Sequence, residues 1–252
     1  MTQEFLDGPN GRIAYRHSSG ASPGVLFCTG FNSDMGGTKA KVLDDWCRGR
    51  GIQYTRFDYS GHGESDGRFE DGSIGEWLAD AVAVLDGVCQ GPQLIVGSSM
   101  GGWMMLLAAL ARPDRVAGLL GIASAPDFTR AMRESRLSAQ QLTDLEETAY
   151  CEIPNHYDDG EPYRIGRKLL EEGERHLLLD GEIAINVPVR LIHGQADADV
   201  SWQLSLELAE RLASPDVELL LVKEGDHRLS EPVDLQRLLD VLARLWAQLH
   251  TD

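Results

Sequence analysis

From Gly24 to the end of the chain, short runs rich in Val, Ile and Leu alternate with longer stretches of helical periodicity. A strand buried on both faces reads as an unbroken apolar run, and parallel strands need a crossover helix between them. The alternation therefore predicts an α/β architecture, a mostly parallel central sheet with helices on both faces. The predicted strands are residues 24–28, 54–59, 93–96, 116–123, 189–193 and 217–222. Ahead of them, residues 4–6 and 12–16 flank Asp7-Gly8-Pro9-Asn10-Gly11, a turn-rich segment that predicts an antiparallel hairpin.

Ser73 and Glu76 have the spacing of a capping box, and Trp77, Leu78, Ala81, Val82, Leu85 and Val88 then fall on one helical face. Residues 202–213 and 232–249 are similarly periodic, the second opening on Pro232 at the first helical position. Residues 126–186 break the rhythm: helical pieces are predicted at 139–150 and 163–170, and no strand. No repeat or linker marks a second domain, so residues 1–252 read as one domain with a cap inserted at about 126–186.

Charge and composition remove several function classes. With 23 Lys and Arg against 40 Asp and Glu, the net charge of −17 repels phosphate backbones and argues against a nucleic-acid partner. The longest apolar run, 103–111, is far too short to cross a bilayer. Cys28, Cys47, Cys89 and Cys151 have no metal-ligand or CxxC spacing and read as reduced thiols. The N-terminal residues lack the basic and apolar regions of a signal peptide and the Arg bias of a transit peptide, which predicts a cytoplasmic address. Residues 143–182 hold 12 acidic and four basic side chains, among them Asp158, Asp159, Glu161 and Asp180. If that stretch roofs a site, its field should turn away a polyanionic substrate such as an acyl-coenzyme A.

Gly97-Ser98-Ser99-Met100-Gly101 follows the apolar run Leu94-Ile95-Val96 and precedes a helix-like segment at 103–108. This is the context of a nucleophile elbow, a strained strand-to-helix turn whose flanking glycines allow the close backbone approach that exposes the central hydroxyl. Ser99 is the candidate nucleophile. Ser98 is the rival hydroxyl, with Val96 rather than glycine two positions before it.

A serine hydroxyl needs a base within hydrogen-bond reach and a carboxylate to orient that base. Of the histidines beyond the cap, His227 sits in a polar loop directly after the strand at 217–222, whereas His193 reads as a satisfied turn histidine and His250 as a surface residue. For the acid, Asp197 lies in the loop just after the strand ending at His193. Asp199 reads as a cap near Ser201, and Asp127, after an earlier strand, is a third choice. Oxyanion donors are expected from the backbone N–H of Met100, next to the elbow, and of Phe31, after the strand that runs into Thr29-Gly30. Asp58-Tyr59-Ser60-Gly61-His62-Gly63-Glu64-Ser65 reads as architecture.

Taken with Thr29-Gly30-Phe31, His193-Gly194-Gln195-Ala196-Asp197 and Gly225-Asp226-His227, these motifs resemble the α/β-hydrolase family from about Ala14 to the final helix. Within it the likeness is to the mitochondrial palmitoyl-protein thioesterases that also act as acyl-glucuronide esterases, carried by Gly37-Thr38-Lys39-Ala40, Arg56-Phe57-Asp58-Tyr59-Ser60-Gly61, Gly101-Gly102-Trp103, Ala111-Arg112-Pro113 and Asp226-His227-Arg228. The resemblance implies an α/β-hydrolase fold and serine hydrolysis of ester or thioester bonds, on a small molecule or an acylated protein, with no cofactor and no metal. Two departures are visible: Thr29-Gly30 stands where many members carry His-Gly, and the N-terminal residues do not read as a transit peptide, which predicts a bacterial-type cytosolic enzyme. A peptidase, a carbon–carbon hydrolase and a non-catalytic hydrolase-fold receptor are the alternatives.

Overall fold

The structure is a computed structural model that describes residues 2–155 and 162–250. Strands β1 (Glu4–Gly8) and β2 (Gly11–Ser18) form the expected hairpin, with Gly8 opposite Gly11 across a two-residue turn. There follow β3 (Ala21–Cys28), α1 (Thr38–Arg48), β4 (Ile52–Phe57), α2 (Ile74–Gly87), β5 (Gln93–Ser98), α3 (Met100–Ala111) and β6 (Val116–Ile122). After the segment at 126–186 come β9 (Val189–Gly194), α7 (Gln203–Arg211), β10 (Val217–Val222) and α8 (Pro232–Gln248), the intervening labels belonging to that segment. The eight-stranded sheet runs β1-β2-β4-β3-β5-β6-β9-β10, with antiparallel pairing at β1-β2 and β2-β4 and parallel pairing from β4 onward. This is the mostly parallel sheet that the apolar runs predict.

Each face of the sheet carries its own core. One joins Leu26, Ile95 and Leu119 to the buried faces of α2 and α3; the other joins Val25, Leu94 and Leu120 to α1 and α8. α3 is buried from Met100 to Ala109, which is why its sequence is apolar all round rather than striped. Ser73 caps α2 by accepting from the N–H of Glu76, and Pro232 opens α8. All four cysteines are buried and unpaired, and none of the described helices is long and apolar enough to cross a membrane.

The sequence reading passes over α1, for a physical reason. Its first turn has no side-chain cap at Gly37, and Lys39, Lys41, Asp44, Asp45 and Arg48 blur the apolar stripe of Ala40, Leu43, Trp46 and Cys47. Asp44 belongs to the buried face because it meets Arg56 of β4 at 3.0 Å, both side chains being under a tenth exposed. Removing one member of a buried pair strands the other, so Asp44→Ala is expected to lower unfolding free energy by about 3 kcal/mol. Urea denaturation checks this, and a loss under about 1 kcal/mol, the scale of a surface pair, would contradict it.

Residues 126–186 contain α4 (Phe128–Ala131), α5 (Ala139–Thr148), β7 (Tyr150–Ile153), β8 (Tyr163–Gly166) and α6 (Arg167–Gly173). The helix predicted at 163–170 therefore begins only at Arg167, and the expectation of no strand is corrected by the antiparallel pair β7–β8. Tyr163 and Ile165 alternate with Arg164 at the period of a strand, Ile165 being buried and Arg164 exposed, which a four-residue run does not separate from a helical turn.

Candidate active site

The turn from β5 to α3 holds Ser99 at φ 55° and ψ −120°, a left-handed conformation that a serine adopts only when its surroundings enforce it. A Cβ on Gly97 would lie 2.3 Å from the carbonyl oxygen of Gly101, and one on Gly101 would lie 2.1 Å from that of Cys28. Both positions are thus closed to side chains by backbone, and the turn lifts the Ser99 side chain off the end of β5. Ser98 remains part of β5 and is nearly buried.

His227, in the loop after β10, places Nε2 3.0 Å from Ser99 Oγ and Nδ1 2.7 Å from Asp197 Oδ2. Asp197 lies in the loop after β9, its side chain fully buried. Its Oδ1 accepts from the N–H groups of Asp199 and Val200, both at 2.8 Å. Oδ2 accepts from His227 and also from His193 Nε2, at 3.0 Å. Burial pushes this carboxyl upward, but the hydrogen bonds from the two histidines, the charge of His227 and the Val200 N–H outweigh it and hold the group well below the ordinary carboxylate range. The structure thus brings together Ser99, Asp197 and His227 from three loops at the carboxyl ends of β5, β9 and β10.

The rival residues make other contacts. Asp199 caps no helix: α7 starts at Gln203 without a side-chain cap, and Asp199 offers its carbonyl to Arg136. Asp127 spends both carboxylate oxygens on the N–H groups of Leu178 and Leu179, tying the two ends of the inserted segment together. His250 stacks on Trp246. Asp58 braces two loops by accepting from the N–H of Met35 at 2.6 Å and of Glu64 at 3.0 Å, and His62 packs among Tyr59, Phe69 and Trp77.

Gly30 lies against the elbow, where a Cβ would come 3.4 Å from the Ser98 carbonyl and 3.5 Å from Ser99 Cβ. Phe31, the next residue, and Met100 line the same cavity as Ser99, a cleft of about 910 Å³. The apolar part of its lining comes from Phe31 with Phe128, Met132, Ile153, Tyr163 and Leu179 of the inserted segment. Asp34, Lys39, Asp199 and Arg228 are among its polar lining residues. Burial pushes the Lys39 amine down to about 8, and its Nζ donates to the Arg228 carbonyl, pinning the loop that carries His227. Asp197, Asp199 and His227 offer ligand atoms within 4.8 Å of one another, a spacing that a cation could bridge, yet the oxygens of Asp197 are already occupied by four donors.

The acidic stretch does not face the cleft as expected. Of its described acidic residues only Asp180 lines the cavity, and it pairs with Arg130 at 2.7 Å; Asp158, Asp159 and Glu161 lie outside the described residues. The described part of residues 143–182 thus brings one acidic side chain, already paired, to the wall of the cleft.

Parallel sheet, elbow and loop constellation are those of an α/β hydrolase, and the chain belongs to that family: the family profile described as serine aminopeptidase, S33, matches residues 21–150. Human palmitoyl-protein thioesterase ABHD10, mitochondrial, is 39% identical over 248 residues, covering 98% of this chain and 81% of its own. The solved structure of mouse alpha/beta hydrolase domain-containing protein 10 superposes with a TM-score of 0.90 at 39% identity, covering 99% of this chain and all of that one. Est1E from Butyrivibrio proteoclasticus, with ferulic acid bound, shares the fold at a TM-score of 0.81 and 19% identity. The mitochondrial address of the human relative, and of its mouse counterpart at 40% identity, overturns the cytoplasmic address expected from the N-terminal residues.

Proposed function

We propose that this hydrolase cleaves carboxylic esters and thioesters through an acyl-enzyme on Ser99, with His227 as general base and then acid, and Asp197 orienting His227. The observation that carries the reading is the continuous hydrogen-bonded line from Ser99 Oγ through both ring nitrogens of His227 to the buried Asp197. Because Nδ1 faces an ionised carboxylate it carries the ring proton, which leaves the Nε2 lone pair aimed at the Ser99 hydroxyl.

As Ser99 Oγ attacks the acyl carbon, its proton passes to His227 Nε2 and the carbonyl electron pair moves onto oxygen. The N–H groups of Phe31 and Met100 stabilise that oxyanion, which collapses to the acyl-enzyme while the imidazolium returns its proton to the departing alcohol or thiol. Water, deprotonated by His227, then attacks the acyl carbon, and the carboxylic acid leaves as Ser99 takes the proton back. The apolar side chains that line the cleft suit the acyl group. We read residues 1–252 as one domain in which 126–186 caps this cleft, and the thioesterase name of the relatives at 39–40% identity supports thioesters, on small molecules or on acylated proteins, as substrates.

A panel of p-nitrophenyl esters and matched thioesters of graded chain length tests this reading. Turnover that rises with chain length until the cleft is filled is expected; no turnover of any member would sink it and favour a ligand receptor. The pH dependence follows from the same geometry. Asp197 is held well below the ordinary carboxylate range and stays ionised, so kcat/KM should fall on the acid side with a slope of one, the uptake of a single proton by the site. A two-proton limb would contradict the assignment.

A further inference from the structure

His193, next to last in β9, is fully buried, yet it is not a bystander at the turn. Its Nε2 lies 3.0 Å from Asp197 Oδ2 and 3.1 Å from the carbonyl oxygen of Val200, while Nδ1 lies 2.6 Å from Ser205 Oγ on α7. The Val200 carbonyl and the Asp197 carboxylate can only accept, so the ring proton is on Nε2 and is shared between them. Nδ1 is then the acceptor for the Ser205 hydroxyl. The result is one chain of hydrogen bonds, Ser205–His193–Asp197–His227–Ser99, in which two histidines donate to the same carboxylate oxygen.

We propose that His193, held by Ser205, is a positioning residue for hydrolysis: by occupying one lone pair of Asp197 Oδ2 it aims the other at His227 Nδ1 and tempers the carboxylate's pull on that proton. The inference rests on the proposed roles of Ser99, Asp197 and His227. A carboxylate in a dry site that loses one donor has its charge less stabilised and binds a shared proton more tightly. Removing the donor from His193 should then make the Asp197–His227 pair easier to protonate and move the acid limb of kcat/KM upward in pH. The charged groups around the chain are Asp197 and Asp199 from the loop after β9 and Asp226 and Arg228 beside His227, with Glu207 of α7 and Lys39 of α1 on the wall of the same cleft; all are retained in the variants below.

The test compares pH profiles of kcat and KM on an activated ester, and the low-field proton signal of the His227 Nδ1–H, in the wild type, His193→Leu, His193→Gln and Ser205→Ala. Leucine keeps apolar volume without a donor, whereas the glutamine amide can reach Asp197 Oδ2 from the same Cα. Expected for His193→Leu is a kcat lower by roughly 10- to 100-fold, as for a small misplacement of a reacting group, with KM little changed. Its acid limb should move up by about 0.5 to 1 pH unit, the scale of one lost hydrogen bond, and the low-field signal should shift. Glutamine should restore the wild-type limb, and Ser205→Ala should move it in the leucine direction by a smaller amount. A folded His193→Leu with the wild-type limb and signal overturns the inference, as does a glutamine variant as impaired as leucine. If the leucine variant does not fold, a wild-type limb in Ser205→Ala overturns it alone. Asp197→Asn, measured alongside, separates the two levels: if it keeps activity the proposed mechanism fails, whereas if it is inactive while His193→Leu is normal only the role of His193 fails.

Discussion

Ser99→Ala is expected to lower kcat on an activated short-chain ester by about 10⁵- to 10⁶-fold, the scale seen when the nucleophile of such a constellation is removed. The substitution deletes one oxygen at the mouth of the turn and no core volume, so its melting temperature should stay within about 2 °C of the wild type, corresponding to less than about 1 kcal/mol in a domain of this size. Alanine has the same difficulty as serine at φ 55°, so the strain of the turn is retained rather than released. The neighbouring Ser98→Ala should keep most of the activity, because Ser98 lies within β5, paired with Ile122 of β6. Steady-state kinetics and thermal melts on the two variants decide the matter. Activity retained in Ser99→Ala and lost in Ser98→Ala would reassign the hydroxyl.

Asp197→Asn should cost about 10⁴-fold in kcat, because an amide that donates toward His227 Nδ1 reverses the tautomer and leaves no lone pair facing Ser99. Here the amide meets two histidines and two backbone N–H groups, four donors in all, so at least one buried contact becomes repulsive. Some loss of stability should accompany the loss of rate. Asp199→Asn is expected to change kcat by less than about 10-fold, since the hydrogen bonds that Asp199 makes to Asp197 and Arg136 come from its backbone. Equal losses in the two variants would mean that the orienting acid is misassigned.

Ser99, Asp197 and His227 can be picked from the sequence because each is marked locally. The elbow glycines flank Ser99 two residues to either side, crowded by the Gly101 carbonyl in one case and by the Cys28 carbonyl at the end of β3 in the other, and the acid and histidine each follow an apolar strand by a short loop. What the sequence leaves hidden depends on contacts made through space. α1 is obscured because its buried Asp44 needs Arg56 from another strand, and β8 because Tyr163 to Gly166 is too short to show its period. His193 is satisfied, as its position at a turn suggests, but its partner is the carboxylate of the site itself. The His193-Gly194-Gln195-Ala196-Asp197 spacing carries that signal, since a strand-ending residue and one four positions later can face each other across a tight loop. Nor does a charge count say which way an acidic helix face points.

The most direct test of the central claim is the site of covalent capture. The protein is treated with a fluorophosphonate, which phosphonylates an activated serine, and the adduct is located by intact mass and peptide mapping. One adduct per chain on Ser99, formed in step with loss of esterase activity and abolished by His227→Ala, is the predicted result. Complete inactivation with the adduct on Ser98 or any other residue, or an active enzyme that takes up no label, would contradict it.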